Sequence, residues 1–254
     1  MLKYYSYGKG KSIVLLHGFC ENNTCFNKQV LFLKDHYNLI TFDLPGFGQS
    51  DIIQNLSMDL IAQKLKIALD ALMIKECIML GHSMGGYVAL AFAKLFPGYL
   101  NGFGLLHSTV VSDTEERKDK RKQVINFIRK NGKEPYIKNF IPTLFKDQAL
   151  HQDDVLFFMD EAIKGPAQGI IEACKAMMKR ERSIDLLAET DKDVFFAIGK
   201  GDVLIPEDDM FNQASLCKKS EICYLENSGH CSMVEESDKL NISIKKFVDR
   251  VFDR

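Results

Sequence analysis

The sequence predicts a doubly wound α/β fold: a mostly parallel sheet covered by helices, with a helical insertion. Short apolar runs, each closed by a polar residue or Gly, have the continuous character of strands buried on both faces of a parallel sheet. Amphipathic segments with 3- and 4-residue apolar spacing lie between them, and alternating strand and helix is the doubly wound pattern. One interval, from His107 to Val194, spans more than eighty residues, whereas a crossover between parallel strands needs only about a dozen.

Taken in order, Leu2 to Tyr7 is a first strand, turning at Gly8–Gly10. Ile13–Leu16 runs into His17-Gly18, and Leu39–Phe42 into Asp43. Met58 to Met73 carries Leu60, Ile61, Lys64, Leu65, Ala68, Leu69 and Leu72 at helical spacing. Cys77–Leu80 runs into Gly81, followed by a helix from Met84 to Phe96 that Pro97-Gly98 stops. Phe103–Leu106 ends at His107, Val194–Ile198 at Gly199, and Ile222–Leu225 is the last strand before a final helix. Inside the long interval, helices are predicted at Thr114–Lys130, Glu134–Phe145, Asp153–Lys164 and Pro166–Arg180. Glu115 and Glu116 complement the positive end of the first, and Pro166 suits a first-turn position in the last. The expected division is a core of residues 1–108 and 191–254 with a helical cap over 109–190.

Composition narrows the partners. With 33 basic and 34 acidic residues, the net charge of −1 gives no general attraction for nucleic acid or anionic lipid. No apolar run approaches the ~20 residues of a membrane span. Met1-Leu2-Lys3-Tyr4-Tyr5 lacks the apolar core of a signal peptide, so the expected compartment is the cytoplasm. Seven cysteines, an odd number, are expected as reduced thiols serving as small hydrophobes. Cys20 and Cys25 lack zinc-site spacing, and no metal is expected.

The sharpest local signal is Gly81-His82-Ser83-Met84-Gly85-Gly86, between a strand and a helix. A serine on such a turn is pushed out at the carboxyl edge of the sheet, and close approach of strand and helix demands small residues two before and two after it. With this motif the chain resembles the α/β-hydrolase superfamily. His17-Gly18-Phe19 is similar to that family's oxyanion motif, and the resemblance implies the backbone N–H groups of Phe19 and Met84 as the oxyanion hole. His17 itself is read as a structural hydrogen bond rather than a base. Asp43, opening Asp43-Leu44-Pro45-Gly46-Phe47-Gly48-Gln49-Ser50-Asp51, matches the family's loop after the next strand, and its carboxylate is expected to cap backbone N–H groups. Asp202, just past a buried strand, is preferred as the triad acid over Asp208 and Asp209, which suit a helix start at Pro206. His230, of six histidines, alone combines a late loop, a preceding Gly and the order nucleophile, acid, histidine. The resemblance departs from the family at the N-terminus, where one leading strand fits instead of two.

The resemblance thus implies a serine hydrolase with Ser83, Asp202 and His230 as its triad, acting on a small or medium carboxylic ester or thioester through an acyl-enzyme, without a cofactor. A serine at position 83 separates the chain from the halide- and epoxide-cleaving branches, which use aspartate there. Two other readings stay open. One is cleavage of a carbon–carbon bond, or pyruvate elimination, by the same triad; it expects basic residues near the pocket, and Arg117, Arg121, Arg129, Arg180 and Arg182 are available. The other is a receptor of the same fold. Phe127, Phe140, Leu144, Phe145, Phe157, Phe158, Met159, Met177 and Met178 give the cap its apolar surface. Phe19, His107, Phe140 and Phe145 are taken as candidate substrate contacts. The expected partner is a small acyl substrate, and the expected assembly is a monomer or homodimer.

Overall fold

A computed structural model describes residues 2–253; the outermost positions of the expected core span, 1 and 254, lie outside it. The strands are β1 (Tyr4–Tyr7), β2 (Ser12–Leu16), β3 (Asn38–Phe42), β4 (Cys77–His82), β5 (Leu100–Leu106), β6 (Asp193–Gly199) and β7 (Ser220–Leu225). They form one seven-stranded sheet in the order β1-β3-β2-β4-β5-β6-β7. Every pairing is parallel except β1 with β3, where Tyr4 lies opposite Phe42. The single leading strand is therefore an antiparallel edge. Its alternating exposed and half-buried residues contrast with β2, β4 and β6, buried at every position.

That uniform burial requires helices on both faces. They are α1 (Asn27–Leu33), α2 (Met58–Ala71), α3 (Met84–Leu95), α4 (Glu115–Asn131), α5 (Glu134–Phe140), α6 (Gln152–Lys164), α7 (Ala167–Lys179), α8 (Ile184–Glu189), α9 (Glu207–Leu216), α10 (Ser232–Glu235) and α11 (Ser237–Phe252). Helix α11 packs on α1, β6 and β7, while α3 packs on α2, β2, β4 and β5. Among the described residues, no helix is long and apolar enough to cross a membrane. All seven cysteines are unpaired, and six of them are buried, the environment of small apolar side chains.

Because β2 and β4 to β7 run in parallel, their carboxyl ends share one edge of the sheet. Strand order reverses direction between β2 and β4, and at such a point the loops diverge and leave a crevice. The segments beginning at His17, Ser83, His107, Lys200 and Glu226 all leave from this edge.

Helices α4 to α8 lie between β5 and β6. The Thr114 hydroxyl accepts from the Arg117 amide at 3.2 Å, a side-chain cap for α4. The helix expected over Glu134–Phe145 is shorter: α5 ends at Phe140 and a 3₁₀ turn follows over Ile141–Leu144. Pro142 explains the change, since it lacks an N–H for the α-helical ladder. Pro166 stands at the N-cap of α7, one residue before the expected position. The short α8 was not anticipated; it offers too few apolar repeats to show a period.

Asp113 fastens this insertion. Its side chain is fully buried and receives Arg121 Nε at 2.5 Å and Arg180 Nη1 at 2.8 Å. The Arg180 guanidinium lies 3.9 Å from the Tyr87 ring of α3, a cation–π contact between insertion and core. Helix α7 also meets the loop after β3 backbone to backbone: a Cβ on Gly169 would stand 1.9 Å from the Gly46 carbonyl oxygen.

Burial pushes the Asp113 carboxyl up, but Arg121 and Arg180 outweigh it and hold the group below its usual 3.8. A carboxyl depressed by folding stabilises the fold above its free value and loses that contribution as pH falls through the lowered one. Asp113→Ala, which removes the shared carboxylate of Arg121 and Arg180, is expected to cost about 3 kcal/mol. For this chain length that is a loss of roughly 6 to 12 °C in Tm. Thermal melts of wild type and variant should differ fully at pH 7, begin to converge as pH falls below about 3.8, and meet only beneath the lowered folded value; a difference that does not change with pH would remove the ionic account.

Candidate active site

Ser83 is the turn between β4 and α3, with φ 49° and ψ −114°. A non-glycine residue in that region is strained, and the strain persists because its neighbours over-determine it. The Ser83 amide donates to the Leu106 carbonyl at 2.9 Å. The Ser83 carbonyl in turn accepts from the Gly86 amide at 2.9 Å and the Ser108 hydroxyl at 2.7 Å. A Cβ on Gly81 would lie 2.2 Å from the Gly85 carbonyl oxygen, and one on Gly85 would lie 2.2 Å from that of Leu16. Gly86 leaves room for Ser108, whose hydroxyl would be 2.3 Å from an added Cβ. The glycine spacing thus answers backbone-to-backbone contact.

Asp202 is buried in the turn after β6. Its Oδ1 accepts from the amides of Leu204 at 2.9 Å and Ile205 at 3.0 Å. Its Oδ2 accepts from His230 Nδ1 at 2.7 Å and from His107 Nδ1 at 3.0 Å. Burial alone would raise this carboxyl; His230 and His107 outweigh it and hold the group far below the ordinary carboxylate range. Asp208 and Asp209 are instead exposed in the first turn of α9. The convergence of His107, Asp202 and His230 within 4.8 Å has the outline of a cation site. Both Nδ1 atoms are spent as donors to the carboxylate, so the donor set does not fit a metal.

His230 is set from both sides. Its amide donates to the Leu144 carbonyl at 2.7 Å, and its carbonyl accepts from His82 Nε2 at 2.8 Å. Glu235 of α10 accepts from the amides of Gly229 and Cys231, fixing the loop around it.

Two buried groups extend the cluster. The Glu21 Oε2 atom accepts from the Gly18 amide at 2.7 Å and from His82 Nδ1 at 2.9 Å. His82 therefore meets an acceptor at each nitrogen, which requires both to carry protons. Burial disfavours its charge, but Glu21 outweighs that and raises the imidazole above its usual value. Glu21 is held low against its own burial chiefly by His82. This ion pair joins the segment after β2, the serine turn and the His230 loop. The role of Glu21 went unread in the sequence; its only signal was a lone carboxylate three residues past Gly18.

His17 accepts from the Leu44 amide at Nε2 (2.8 Å) and donates from Nδ1 to the Gly18 carbonyl (2.8 Å). Burial lowers its pKa. Asp43 accepts from the Asn23 amide and side chain, the Gln49 amide and the Tyr5 hydroxyl, so its carboxylate organises loops. Among the described residues the backbone amides of Phe19 and Met84 meet no protein acceptor.

Ser83 opens into a cavity of about 400 Å³. Phe19, Tyr87, Tyr136, Phe140, Met177 and Val203 to Ile205 line it, together with Arg117, Lys120 and Arg121 of α4. Phe19 and Phe140 meet edge to face at 5.8 Å. Two expected substrate contacts are corrected. Phe145 does not line this cavity; it packs against Phe158 at 5.7 Å within the insertion, because the 3₁₀ turn carries it inward past Leu144. His107 is fully buried behind Asp202, since β5 ends beneath the cavity floor. Arg117 also donates to the Leu204 carbonyl at 2.7 Å, linking α4 to the turn that holds Asp202.

Comparison with known proteins agrees with this architecture. A family model described as alpha/beta hydrolase fold matches residues 11–237. The chain is similar to 3-oxoadipate enol-lactonase 1 of Acinetobacter baylyi, 25% identical over 94% of this chain and 89% of that one. A thermophilic esterase from Thermogutta terrifontis, solved with malate bound, superposes with TM-score 0.94 at 27% identity, covering 98% of this chain and 93% of its own. An esterase from Exiguobacterium antarcticum shares the fold, with TM-score 0.90 at 22% identity and coverage of 98% and 95%. The chain belongs to the alpha/beta hydrolase fold family and is a hydrolase of that family.

Proposed function

We propose that this enzyme hydrolyses a small or medium carboxylic ester, lactone or thioester through an acyl-enzyme on Ser83. The observation that carries the reading is a strained serine at the carboxyl edge, opening into a cavity beside a buried His230–Asp202 pair. His230 spends Nδ1 on Asp202, which leaves Nε2 for the proton of Ser83. As that proton leaves, Ser83 Oγ attacks the acyl carbon, and the amides of Phe19 and Met84 receive the developing oxyanion. Met84 opens α3, so the helix N-terminus adds a partial positive charge there. His230 then gives its proton to the departing alkoxide or thiolate. A water, deprotonated by His230, releases the acid and restores Ser83. Helices α4 to α8 act as the cap over this site, in keeping with an insertion at residues 109–190.

The cavity wall bears on the substrate. Among the described residues three cations line it and no carboxylate does, although Arg121 is already paired with Asp113 and Lys120 with Glu116. We read this as favouring an acyl substrate that carries a carboxylate away from the scissile bond, which a guanidinium binds in a fork. The enol-lactonase among the relatives is named for cleaving an internal ester, the same bond type. The same wall also favours the second reading, carbon–carbon cleavage or pyruvate elimination, whose substrates carry carboxylates.

A fluorophosphonate probe is expected to label the wild type and not Ser83→Ala. That variant should also lose about a thousandfold or more in ester turnover; equal labelling of both would remove Ser83 as nucleophile.

Arg117→Gln keeps a donor for Leu204 but loses the charge. KM for a half-ester of a dicarboxylic acid should rise about tenfold, the worth of about 1.4 kcal/mol, with a neutral ester unaffected. A labelled protein that cleaves no ester, yet splits a carboxylated diketone, would select the second reading.

A further inference from the structure

His107 is a buried titratable group that the proposed reaction does not use, and its conformation is costly. Its backbone φ is 50°, in the left-handed region, where a residue other than glycine is strained by about 1 to 3 kcal/mol. Its ring is fully enclosed, with Nδ1 at 3.0 Å from Asp202 Oδ2 and Nε2 at 2.7 Å from Ser232 Oγ. Room for the ring depends on Gly199, where an added Cβ would stand 2.8 Å from His107 Cε1. Ser232, His107 and Asp202 thus form a hydrogen-bonded chain on the far side of one carboxylate from His230, like the chain proposed for Ser83, His230 and Asp202. Ser232 is fully buried and cannot reach a substrate, so this second arm has no nucleophile to serve.

The protons in that arm follow from its partners. Asp202 is ionised and only accepts, so His107 Nδ1 carries a proton and donates it. Burial pushes the imidazole down to about 4 against the pull of Asp202, so it is neutral at physiological pH. Its Nε2 is then an acceptor, and the Ser232 hydroxyl donates to it. Ser232 thereby fixes the tautomer that Asp202 needs.

We propose that His107 is a positioning residue of the hydrolase, acting through Asp202 as a second donor to the oxygen that holds His230. This rests on the assignment of Ser83, His230 and Asp202 as the reacting groups. A carboxylate offers about four acceptor positions. Leu204 and Ile205 fill those of Oδ1, and His230 and His107 those of Oδ2. A carboxylate bonded at all four cannot rotate, and it has no position left at which to take up the proton passing through His230. Sharing Oδ2 also divides its charge between two imidazoles, so it holds the protonated form of its catalytic partner less tightly than an undivided carboxylate would. Proton transfer to the leaving group is eased by the same amount.

Other charged groups face the cluster and bear on its pH dependence. His82, with its partner Glu21, lies on the β4 side, its ring 4.8 Å from that of His230 and 5.9 Å from that of His107. Glu235 of α10 holds the His230 loop by its amides. The Lys146 stem packs against Gly201, and its amide donates to Glu235. All of these remain in place when His107 alone is changed.

The test compares His107→Leu, which removes the donor, with His107→Asn, whose amide nitrogen replaces Nδ1 and whose side chain tolerates left-handed backbone. His107→Leu should lower kcat about tenfold to a hundredfold, with KM for a short ester unchanged within about twofold. The acid limb of kcat/KM should move to higher pH by about one unit. His107→Asn should restore the wild-type acid limb and most of kcat. Equal losses in both variants with an unmoved acid limb would reduce His107 to packing and overturn the proposal. Independently of activity, wild type labelled with ¹⁵N-histidine should show protonated Nδ1 sites bonded to carboxylate at His82, His107 and His230, and His107→Asn should remove one of them. A spectrum from which His107→Asn removes none of these sites overturns the proposal even if His107→Leu fails to fold. Failure of the wild type to react with fluorophosphonate or ester, with the Nδ1 protons of His107 and His230 present, would instead count against the hydrolase reading.

Discussion

An ionised carboxylate buried at a sheet edge, with no lysine or arginine among the described residues bonded to it, is the constraint around which this site is arranged. Burial of such a charge is costly unless donors surround it. Asp202 finds them in its own turn, at the end of β5 and in the loop after β7. Satisfying one side chain therefore brings three strand ends into register. The parallel sheet makes this possible, because adjacent carboxyl ends are separated by only one or two strand spacings.

A second buried charge organises the other half of the site. The Glu21–His82 pair takes the Gly18 amide on one side and the His230 carbonyl on the other. Three imidazoles within 4.8 to 5.9 Å of one another thus carry different protons for different neighbours. His82 is held charged by Glu21, and His107 neutral by burial beside Ser232. His230 donates from Nδ1 to Asp202 and, in the proposed function, keeps Nε2 for the reaction. Environment, rather than residue type, assigns these tasks.

The legibility of the sequence followed the range of each interaction. Backbone packing at Gly81 and Gly85 is local and repeats at fixed spacing, so the serine turn could be read directly. The preference for Asp202 over Asp208 and Asp209 likewise followed from neighbours, since Pro206 marks the start of α9. His107 was misread because a strand-end histidine has two possible directions, toward the cavity or beneath it. Its partners lie 95 and 125 positions away in sequence, and nothing local distinguishes the two. Glu21 was missed for the same reason, with its imidazole 61 positions distant. Phe145 was misplaced by treating Glu134–Phe145 as one helix; the period continued past Pro142, but the backbone could not. The cations of α4 were visible as charge, yet their direction depended on how the insertion is fastened through Asp113.

The bond from Arg117 to the Leu204 carbonyl gives the insertion a mechanical tie to the chemistry beneath it. Leu204 donates its own amide to Asp202 Oδ1, so a single residue connects helix α4 to the carboxylate. Displacing α4 outward must either break the Arg117 bond or draw the Asp202 turn with it. The cavity wall and the turn that holds Asp202 are consequently joined along one short path. In the proposed reaction, an anionic substrate bound by Arg117 competes with the Leu204 carbonyl for the same guanidinium.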